Sequence, residues 1–506
     1  MLAGINGHPE LVIKMATASK YQRAIYSVFT HSTRDINISA VAGGGKTTTL
    51  LELLRYVPDG SSTLFLAFNN SIVDELKNRN EREDARIMTI HSCGWRSIMQ
   101  VYGSKSKVNA NKGIAKTEMV MKRFNIPDKK RGWYFYAIPK MLDLMRCNLC
   151  NNRVEDIVEL SNYYDVDIDA TDAKYITYAF DLMARDKRQF DFMDMIYVPI
   201  TDPLIRLQRY DYVFCDESQD FSVAQQEFIK RCLNRRGRLI TVGDKRQAIY
   251  GFAGADAESY DKLAELNGKA LRMPLSVCYR CGKNIVLEAQ KIVPEIQYHP
   301  AQIDGEVRSG SLTEIEDGDW ILCRNLKPLI QTYLWLIKNH KKCKIRGKDI
   351  AEGILALINK TGANTLSSLE SALEREQERT LEKLAARGVK KPSLHPKMEL
   401  LCQKIDVILT LASEVSTVVA LKELINNIFD DKAKGIILST IHKAKGLEND
   451  RVFFLLPNLI PSRYAIQDWQ LEQEQNLKYV AITRAKRELI YVNESDFVYA
   501  LSEQSL

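Results

Sequence analysis

Two kinds of hydrophobic run alternate along the chain. Short, nearly unbroken apolar stretches occur at residues 36–39, 63–68, 85–90, 212–215 and 239–243, and again within 319–325. Between them, apolar residues recur at helical spacing. Residues 15–30 place Ala24, Ile25, Val28 and Phe29 on one face, and residues 48–54 and 69–76 open further helices. Strands that are apolar on both faces belong to parallel sheets covered by helices, so the alternation predicts an α/β fold. Two long stretches break it. Residues 97–190 are helical and basic, and residues 345–430 read as a second helical insertion containing an amphipathic helix over 366–387. Residues 388–396, with Gly388, Pro392 and Pro396, form the clearest linker-like break.

The chain has 506 residues, enough for several domains, with the hydrophobic (45%) and charged (27%) content of an ordinary soluble protein. No apolar run approaches the roughly 20 residues needed to span a bilayer, and the first residues lack the basic-then-apolar pattern of a secretory leader. The net charge of +7 suits a polyanionic partner. Ten cysteines are scattered too widely for a disulfide framework. Two C-x-x-C pairs, Cys147/Cys150 and Cys278/Cys281, would together make a four-thiolate metal site. They lie far apart with no His or further Cys at finger-like spacing, so they read as free thiols.

Candidate chemistry gathers at the ends of the expected strands. Residues 40–47, Ala-Val-Ala-Gly-Gly-Gly-Lys-Thr, join the first strand to a helix. Glycines there let backbone N–H groups converge on phosphate oxygens, and the helix N-terminus adds partial positive charge. Lys46 would reach the β- and γ-phosphates, and the Thr47 hydroxyl would hold Mg²⁺. The strand at 212–215 runs into Asp216 and Glu217, suited to bind Mg²⁺ and polarise the attacking water. The strand at 239–243 leads to Gln247, placed to sense a γ-phosphate, and to Tyr250 and Phe252, which could stack on bases. Gln22, one helix ahead of the glycine turn, is a candidate for recognising an adenine edge. Lys105, Lys107, Lys112, Lys116, Lys122, Arg123 and Lys129 to Arg131 interleave with Tyr102, Trp133, Tyr134 and Tyr136, a mixture that suits single-stranded nucleic acid.

In this order the motifs resemble the UvrD/Rep/PcrA group of superfamily 1 helicases. Gln22 stands for the Q motif, Ala40 to Thr47 for motif I, Ala67 to Asn70 for Ia and Thr89 to His91 for Ib. Asp191 to Met195 is similar to the element just ahead of motif II, and Asp216 to Asp220 to motif II itself. Val242 to Asp244 with Gln247 to Phe252 is similar to motif III, Tyr279-Arg280 to motif IV, Thr440 to Glu448 to motif V and Tyr479 to Lys486 to motif VI. Three departures are Ser71 in place of a Lys, Phe252 in place of the usual Trp, and three glycines in place of Gly-Ser-Gly. None removes a catalytic group.

The resemblance implies an α/β fold of two RecA-like P-loop domains with parallel sheets, each carrying a mainly helical inserted subdomain. The first domain would comprise 1–96 and 190–272, with 97–189 as a single-strand-binding insertion. The second would comprise 273–344 and 431–506, with 345–430 as a reduced insertion for duplex contact. The implied cofactors are ATP and Mg²⁺, the metal held through Thr47 and Asp216. Catalysis would fall to Lys46, Asp216, Glu217, Gln247, Arg280 and Arg484. The nucleotide would be bound by Gln22, Ala42, Gly43, Gly44, Gly45, Lys46, Thr47, Thr48, Tyr279, Arg280, Glu448 and Arg484. DNA would meet Phe68, Asn70, His91, Tyr250, Phe252 and His442. The implied activity is an ATP-dependent DNA helicase moving 3′ to 5′ on single strands, in replication, repair or recombination. Its partners would be single-stranded DNA, single-strand/duplex junctions and replication or repair proteins, with no membrane. The expected location is the cytoplasm, at the nucleoid of a bacterial or phage-infected cell. The alternative is a single-strand translocase that strips proteins or loads partners with little unwinding.

Overall fold

A computed structural model describes residues 18–502 apart from 68–69, 81, 104, 128–130, 165, 167, 250–255, 257, 387–390 and 431–434. Contacts within the chain divide it into two compact units, residues 1–277 and 278–506.

The first unit is built on six strands: β1 (Ile36–Ala40), β2 (Thr63–Ala67), β3 (Arg86–Thr89), β4 (Tyr210–Cys215), β5 (Leu233–Gly243) and β6 (Leu271–Leu275). They lie in the order β3-β2-β4-β5-β1-β6, every neighbouring pair parallel. Alternate residues serve two separate cores. Ile38, Phe65, Phe214 and Ile240 pack on one face with Ile25, Phe29 and Leu54, while Leu64, Leu66, Val213 and Leu239 face Ile196, Phe228 and Leu263. This two-sided burial is why the strands read as unbroken apolar runs. The strand order has a functional consequence: β4, β5 and β1 stand side by side, so the turns leaving their carboxyl ends share one edge.

The helical stretch begins earlier than the expected residue 97, with a helix over Ile90–Tyr102 capped by the Thr89 side chain. Helices Lys112–Arg123, Arg131–Cys147, Val154–Tyr163 and Ala170–Arg185 then form a core of their own around Ile138, Met141, Met145, Ile157 and Ile176. Two-residue strands, Lys107–Val108 and Gln189–Phe190, pair in parallel where this insertion leaves and rejoins the sheet domain.

Several residues expected to face nucleic acid from this insertion do something else. Lys112 is 1% exposed and its ammonium lies 2.6 Å from Asp194 Oδ2, with a further bond to the Met183 carbonyl. Lys116 pairs with Asp186 at 2.6 Å, Tyr134 is buried with its hydroxyl on Asp172, and Tyr102 donates to Asp202. A long basic or aromatic side chain looks the same in sequence whether its head is in water or pinned to an acid. Arg146, also buried, donates to Asp191 at 2.7 Å, to Asp194 at 2.8 Å and to Asp143 at 2.6 Å. Asp191 and Asp194 thereby anchor the residues leading back to β4 onto the insertion.

The second unit repeats the plan with β7 (Glu306–Ser309), β8 (Trp320–Cys323), β9 (Cys343–Ile345), β10 (Ile436–Thr440), β11 (Asn449–Leu455) and β12 (Ala485–Val492). Their order is β7-β12-β11-β8-β10-β9, again all parallel. Its inserted helices, Lys348–Thr361, Leu366–Ala386, Pro396–Ala412 and Val418–Ile428, share one core with the sheet: Ile354, Leu369, Ile408 and Leu421 belong to the same cluster as Ile321, Leu438 and Phe453. Arg324, just past β8, ties this insertion in place by pairing with Glu399 at 2.8 Å and Glu474 at 2.9 Å.

Removing one partner of a buried ion cluster strands the others, at a cost of about 3–5 kcal/mol. Arg146→Met should therefore lower the stability of the chain by that order in urea unfolding. A loss below about 1 kcal/mol would show that Lys112 alone can hold Asp191 and Asp194.

Candidate active site

The turn after β1 is shaped by close approach of backbone. A β-carbon on Gly44 would lie 2.9 Å from the Val41 carbonyl and 3.0 Å from that of Leu275. Gly45 has φ of 76° and sits at the start of the helix Lys46–Arg55, a left-handed conformation that costs other residues energy. With Gly43 also at positive φ, the loop opens onto the helix N-terminus, where N–H groups and the helix dipole favour an anion. Ala42 is buried behind it. Thr48 accepts a hydrogen bond from Arg79.

Lys46 leaves the loop toward the end of β4. Its ammonium lies 2.6 Å from Glu217 Oε1, and the Thr47 hydroxyl donates to Asp216 Oδ2 at 3.0 Å. Burial opposes the charge on Lys46, but Glu217, Asp216 and Asp244 outweigh it and hold its pKa above the ordinary value. Burial, reinforced by Glu217, pushes Asp216 up to about 6, with Lys46 and Thr47 pulling the other way. Asp244 is pushed to about 6, again chiefly by burial. Glu217 itself has φ of 52° and ψ of 43°. A non-glycine residue in that region is strained, and here the turn carries the carboxylate onto Lys46.

Gln219 joins the turns after β4 and β5. Its amide donates to Glu217 Oε2 at 2.6 Å and accepts from the Asp244 backbone N–H at 3.0 Å. Gln247 in turn donates to Asp244 Oδ2 at 2.6 Å. The junction requires Gly243, because a β-carbon there would lie 2.5 Å from Ser218 Oγ and 2.6 Å from Gln219 Oε1. Gln22 accepts from the Ser19 backbone in a capping box and donates to Thr49 Oγ1 at 3.2 Å, so it fastens its own helix to the one after the loop.

The described residues contain no ready-made cluster of three or more metal-binding side chains. The pair formed by the Thr47 hydroxyl and the Asp216 carboxylate is a hard-oxygen set of the kind Mg²⁺ takes when substrate phosphates and water complete its shell. A buried lysine opposite a loop of convergent N–H groups fits a polyphosphate.

In the second unit Arg280 forms an ion pair with Glu448 through Nε and donates from Nη1 to the Thr483 carbonyl at 3.5 Å. Glu448 also pairs with Lys486 at 3.2 Å. Burial works against its carboxylate, but Arg280 and Lys486 win and hold its pKa below the usual range. Arg484 is 1% exposed. Its guanidinium donates to the carbonyls of Val480 at 3.0 Å and Leu447 at 2.9 Å. Burial and the neighbouring Arg280 lower its pKa to about 10, which leaves it cationic at neutral pH. Tyr279 is 38% exposed, its ring against His299.

The comparison with known proteins places both units in one family. The profile of the UvrD/REP helicase N-terminal domain matches residues 21–266, and that of the UvrD-like helicase C-terminal domain matches residues 364–495. This chain belongs to the UvrD/REP helicase family. Among curated relatives, F-box DNA helicase protein 1 of Schizosaccharomyces pombe is 25% identical over 325 residues, 58% of this chain and 35% of that protein. The ATP-dependent DNA helicase PcrA of Staphylococcus epidermidis is 28% identical over 283 residues, 51% of this chain and 37% of that protein. The Staphylococcus aureus PcrA is 26% identical over 288 residues, with the same shares. The chain spans little more than a third of the length of the curated relatives it matches.

Seen as a UvrD/REP-type chain, the expected DNA contacts divide into three groups. Phe68, Tyr250 and Phe252 lie outside the described residues. Asn70 opens the helix Asn70–Arg79 and is exposed, and His91 lies in the first turn of the helix that follows β3. His442, just past β10, has its pKa pushed down to about 3 by burial, with Arg324 and Lys443 adding to the effect. It is neutral at physiological pH and can offer a hydrogen bond but no charge. Sequence reading passed over three residues as site members. Gln219 and Asp244 carry the polar chain from the Glu217 carboxylate to Gln247, and their place within two adjacent strand-end motifs was the available signal. Phe192 is 55% exposed with its ring edge-on to His91 at 6.4 Å, and nothing in its spacing announced an exposed aromatic.

The raised pKa of Asp216 has a definite sign. The folded chain holds that proton more tightly than the unfolded one, so its stability falls as pH rises from about 4 to about 6 and the penalty persists above. Asp216→Asn removes the charge, keeps an oxygen to accept from the Glu217 N–H, and puts an amide N–H in place of the oxygen that accepts from the Thr47 hydroxyl. Without nucleotide, its urea midpoint should exceed that of the unaltered chain at pH 7.5, and the gain should vanish near pH 4. A gain independent of pH would dismiss the buried charge as its cause.

Proposed function

We propose that this chain is an ATP-dependent DNA helicase that moves along single-stranded DNA, coupling ATP hydrolysis to strand separation. The observation that carries the reading is the convergence of Lys46, Thr47, Asp216, Glu217 and Gln247 at the shared carboxyl edge of β1, β4 and β5. The names of the PcrA and F-box relatives support it.

The Lys46–Glu217 contact suggests how the site waits for its substrate. Polyphosphate entering the loop competes with Glu217 for the ammonium, and Lys46 turns to it. Glu217, still held by Gln219, then has an oxygen available to accept a proton from the attacking water. Mg²⁺ at Thr47 and Asp216 would supply charge neutralisation on the phosphate oxygens. Gln247, bonded to Asp244, stands where it can report the state of that edge to residues that follow. Arg280 and Arg484 are assigned to the same nucleotide. Arg280 must leave Glu448 and Arg484 its carbonyl partners to reach it, which makes turnover depend on a change within the second unit. An arginine in such a role is worth on the order of 10³ in rate. His91 and Phe192 offer a stacking surface for a base, and Asn70 a polar contact. Movement 3′ to 5′, and a role in replication, repair or recombination, come from the family resemblance.

A second reading, a translocase that strips proteins or loads partners with little unwinding, is favoured by one feature. The inserted helices of the second unit are absorbed into the motor core, leaving less independent structure for a duplex.

Lys46→Ala should abolish ATP hydrolysis while single-strand binding survives, and turnover retained in a clean preparation would refute the phosphate-loop assignment. For the unaltered chain, ATPase should rise strongly with single-stranded DNA. Duplexes with 3′ tails should be opened and those with 5′ tails or blunt ends left intact. Strong DNA-stimulated ATPase with no displacement of any tailed duplex would select the translocase.

A further inference from the structure

The second C-x-x-C pair brackets two residues assigned to the nucleotide. Cys278 and Cys281 flank Tyr279 and Arg280, and both are reduced and buried. Their side chains are hydrogen-bonded to each other, and the Cys281 backbone N–H also approaches Cys278 Sγ at 3.5 Å. The Cys281 thiol donates to the Thr483 carbonyl at 3.7 Å, the same oxygen that receives Arg280 Nη1 at 3.5 Å. Thr483 is followed directly by Arg484. One carbonyl therefore joins the dithiol to Arg280 by hydrogen bonds and to Arg484 through the peptide bond.

We propose that Cys278 and Cys281 form a redox-sensitive dithiol whose oxidation to a disulfide by a hydroperoxide disables the arginine half of the nucleotide site. The effect on turnover rests on the assignment of Arg280 and Arg484 made above. Formation of the disulfide does not. The neighbouring Cys281 side chain, with help from backbone N–H groups and Arg280, draws the Cys278 thiol down to about 7 against the effect of burial. A good fraction is thus thiolate at neutral pH, the form that reacts. Burial alone pushes Cys323 and Cys343 up to about 12, so those thiols stay inert.

The chemistry balances with peroxide as the two-electron oxidant. Cys278 thiolate attacks one peroxide oxygen, the O–O bond breaks, and the departing hydroxide takes a proton to leave as water. The resulting sulfenic acid is attacked by the Cys281 sulfur; the S–S bond forms, the S–O bond breaks, and a second water leaves with the thiol proton. The new bond removes the proton that Cys281 gave to Thr483. It also replaces a hydrogen bond across the Tyr279–Arg280 turn with a covalent closure, so Arg280 loses its setting. Burial of both sulfurs favours a small oxidant over a bulky disulfide.

The Cys147/Cys150 pair is a poor candidate for the same role, because burial pushes Cys147 up to about 11. Cys93 and Cys232 are also hydrogen-bonded to each other, but they join two helices of the first unit, whereas Arg280 and Arg484 belong to the second.

The test treats the full chain with hydrogen peroxide, removes the excess with catalase, and follows thiol count, non-reducing peptide maps and DNA-stimulated ATPase. Trypsin cuts after Arg280, so a Cys278–Cys281 disulfide appears as two linked peptides. The expected result is that link together with a fall in kcat of about tenfold or more, reversed by dithiothreitol, a modest share of what an arginine finger supplies. Cys281→Ser should keep the reduced-state ATPase within about twofold and lose the reversible response. Peroxide that links Cys93 to Cys232 instead, a Cys278–Cys281 link that leaves kcat unchanged, or equal reversible inhibition of Cys281→Ser would each overturn the proposal. The peptide map reads the dithiol without turnover. A reduced chain with no ATPase therefore refutes the nucleotide reading, whereas absence of the link refutes the dithiol.

Discussion

The first unit depends on keeping one lysine among three carboxylates in a place from which water is largely excluded. Lys46 meets Glu217 directly, with Asp216 and Asp244 close enough to raise its pKa despite burial. Such a cluster is costly to assemble, since each charge loses its hydration and the acids repel one another. The fold meets that cost by placing β4, β5 and β1 side by side and by allowing left-handed backbone at Gly45 and Glu217. A site held this way is unbalanced without its ligand: two carboxylates with pKa near 6 mark an excess of buried negative charge. A divalent cation and a polyphosphate, one on the acids and one on the lysine, would separate the charges that now lean on each other.

The second unit is organised on the same principle with the signs exchanged. Arg280 and Arg484 are cations held by Glu448 and by backbone carbonyls, and burial depresses the pKa of Arg484 rather than raising it. Each charge cluster is therefore internally neutralised, its charges occupied by neighbours. Engagement with a substrate means exchanging those partners, a more selective arrangement than exposed charges would give. The thiols of Cys278 and Cys281 lie inside this second network.

The two insertions solve different physical problems. In the first unit, four helices bury enough apolar surface to form a separate core, and the joint to the sheet domain is ionic, through Lys112, Arg146, Asp191 and Asp194. In the second, the helices complete the core of the sheet itself and are fixed by Arg324 with Glu399 and Glu474. An ionic joint demands geometry and resists sliding, whereas a shared apolar core forbids independent movement altogether.

The local chemistry of this protein was legible in its residues. The glycine turn, Asp216 with Glu217, and the alternation of apolar strands with helices each depend on neighbours within a few positions, where sequence and physics coincide. What only the folded chain decided were the distant pairings. The strand order brought the turns after β1, β4 and β5 to one edge, and Gln219 proved to be the link between two of them. Lys112, counted in sequence with the basic surface, turned inward to an acid 82 positions away, and Arg146 to one 45 positions away. Whether a long cationic side chain ends in water or in an ion pair depends on which carboxylate the fold carries to it, and that is settled by tertiary packing alone. Cys278 and Cys281 show the same division: their spacing was plain, but their tie to Arg280 and Arg484 runs through a Thr483 carbonyl that only the structure brings near.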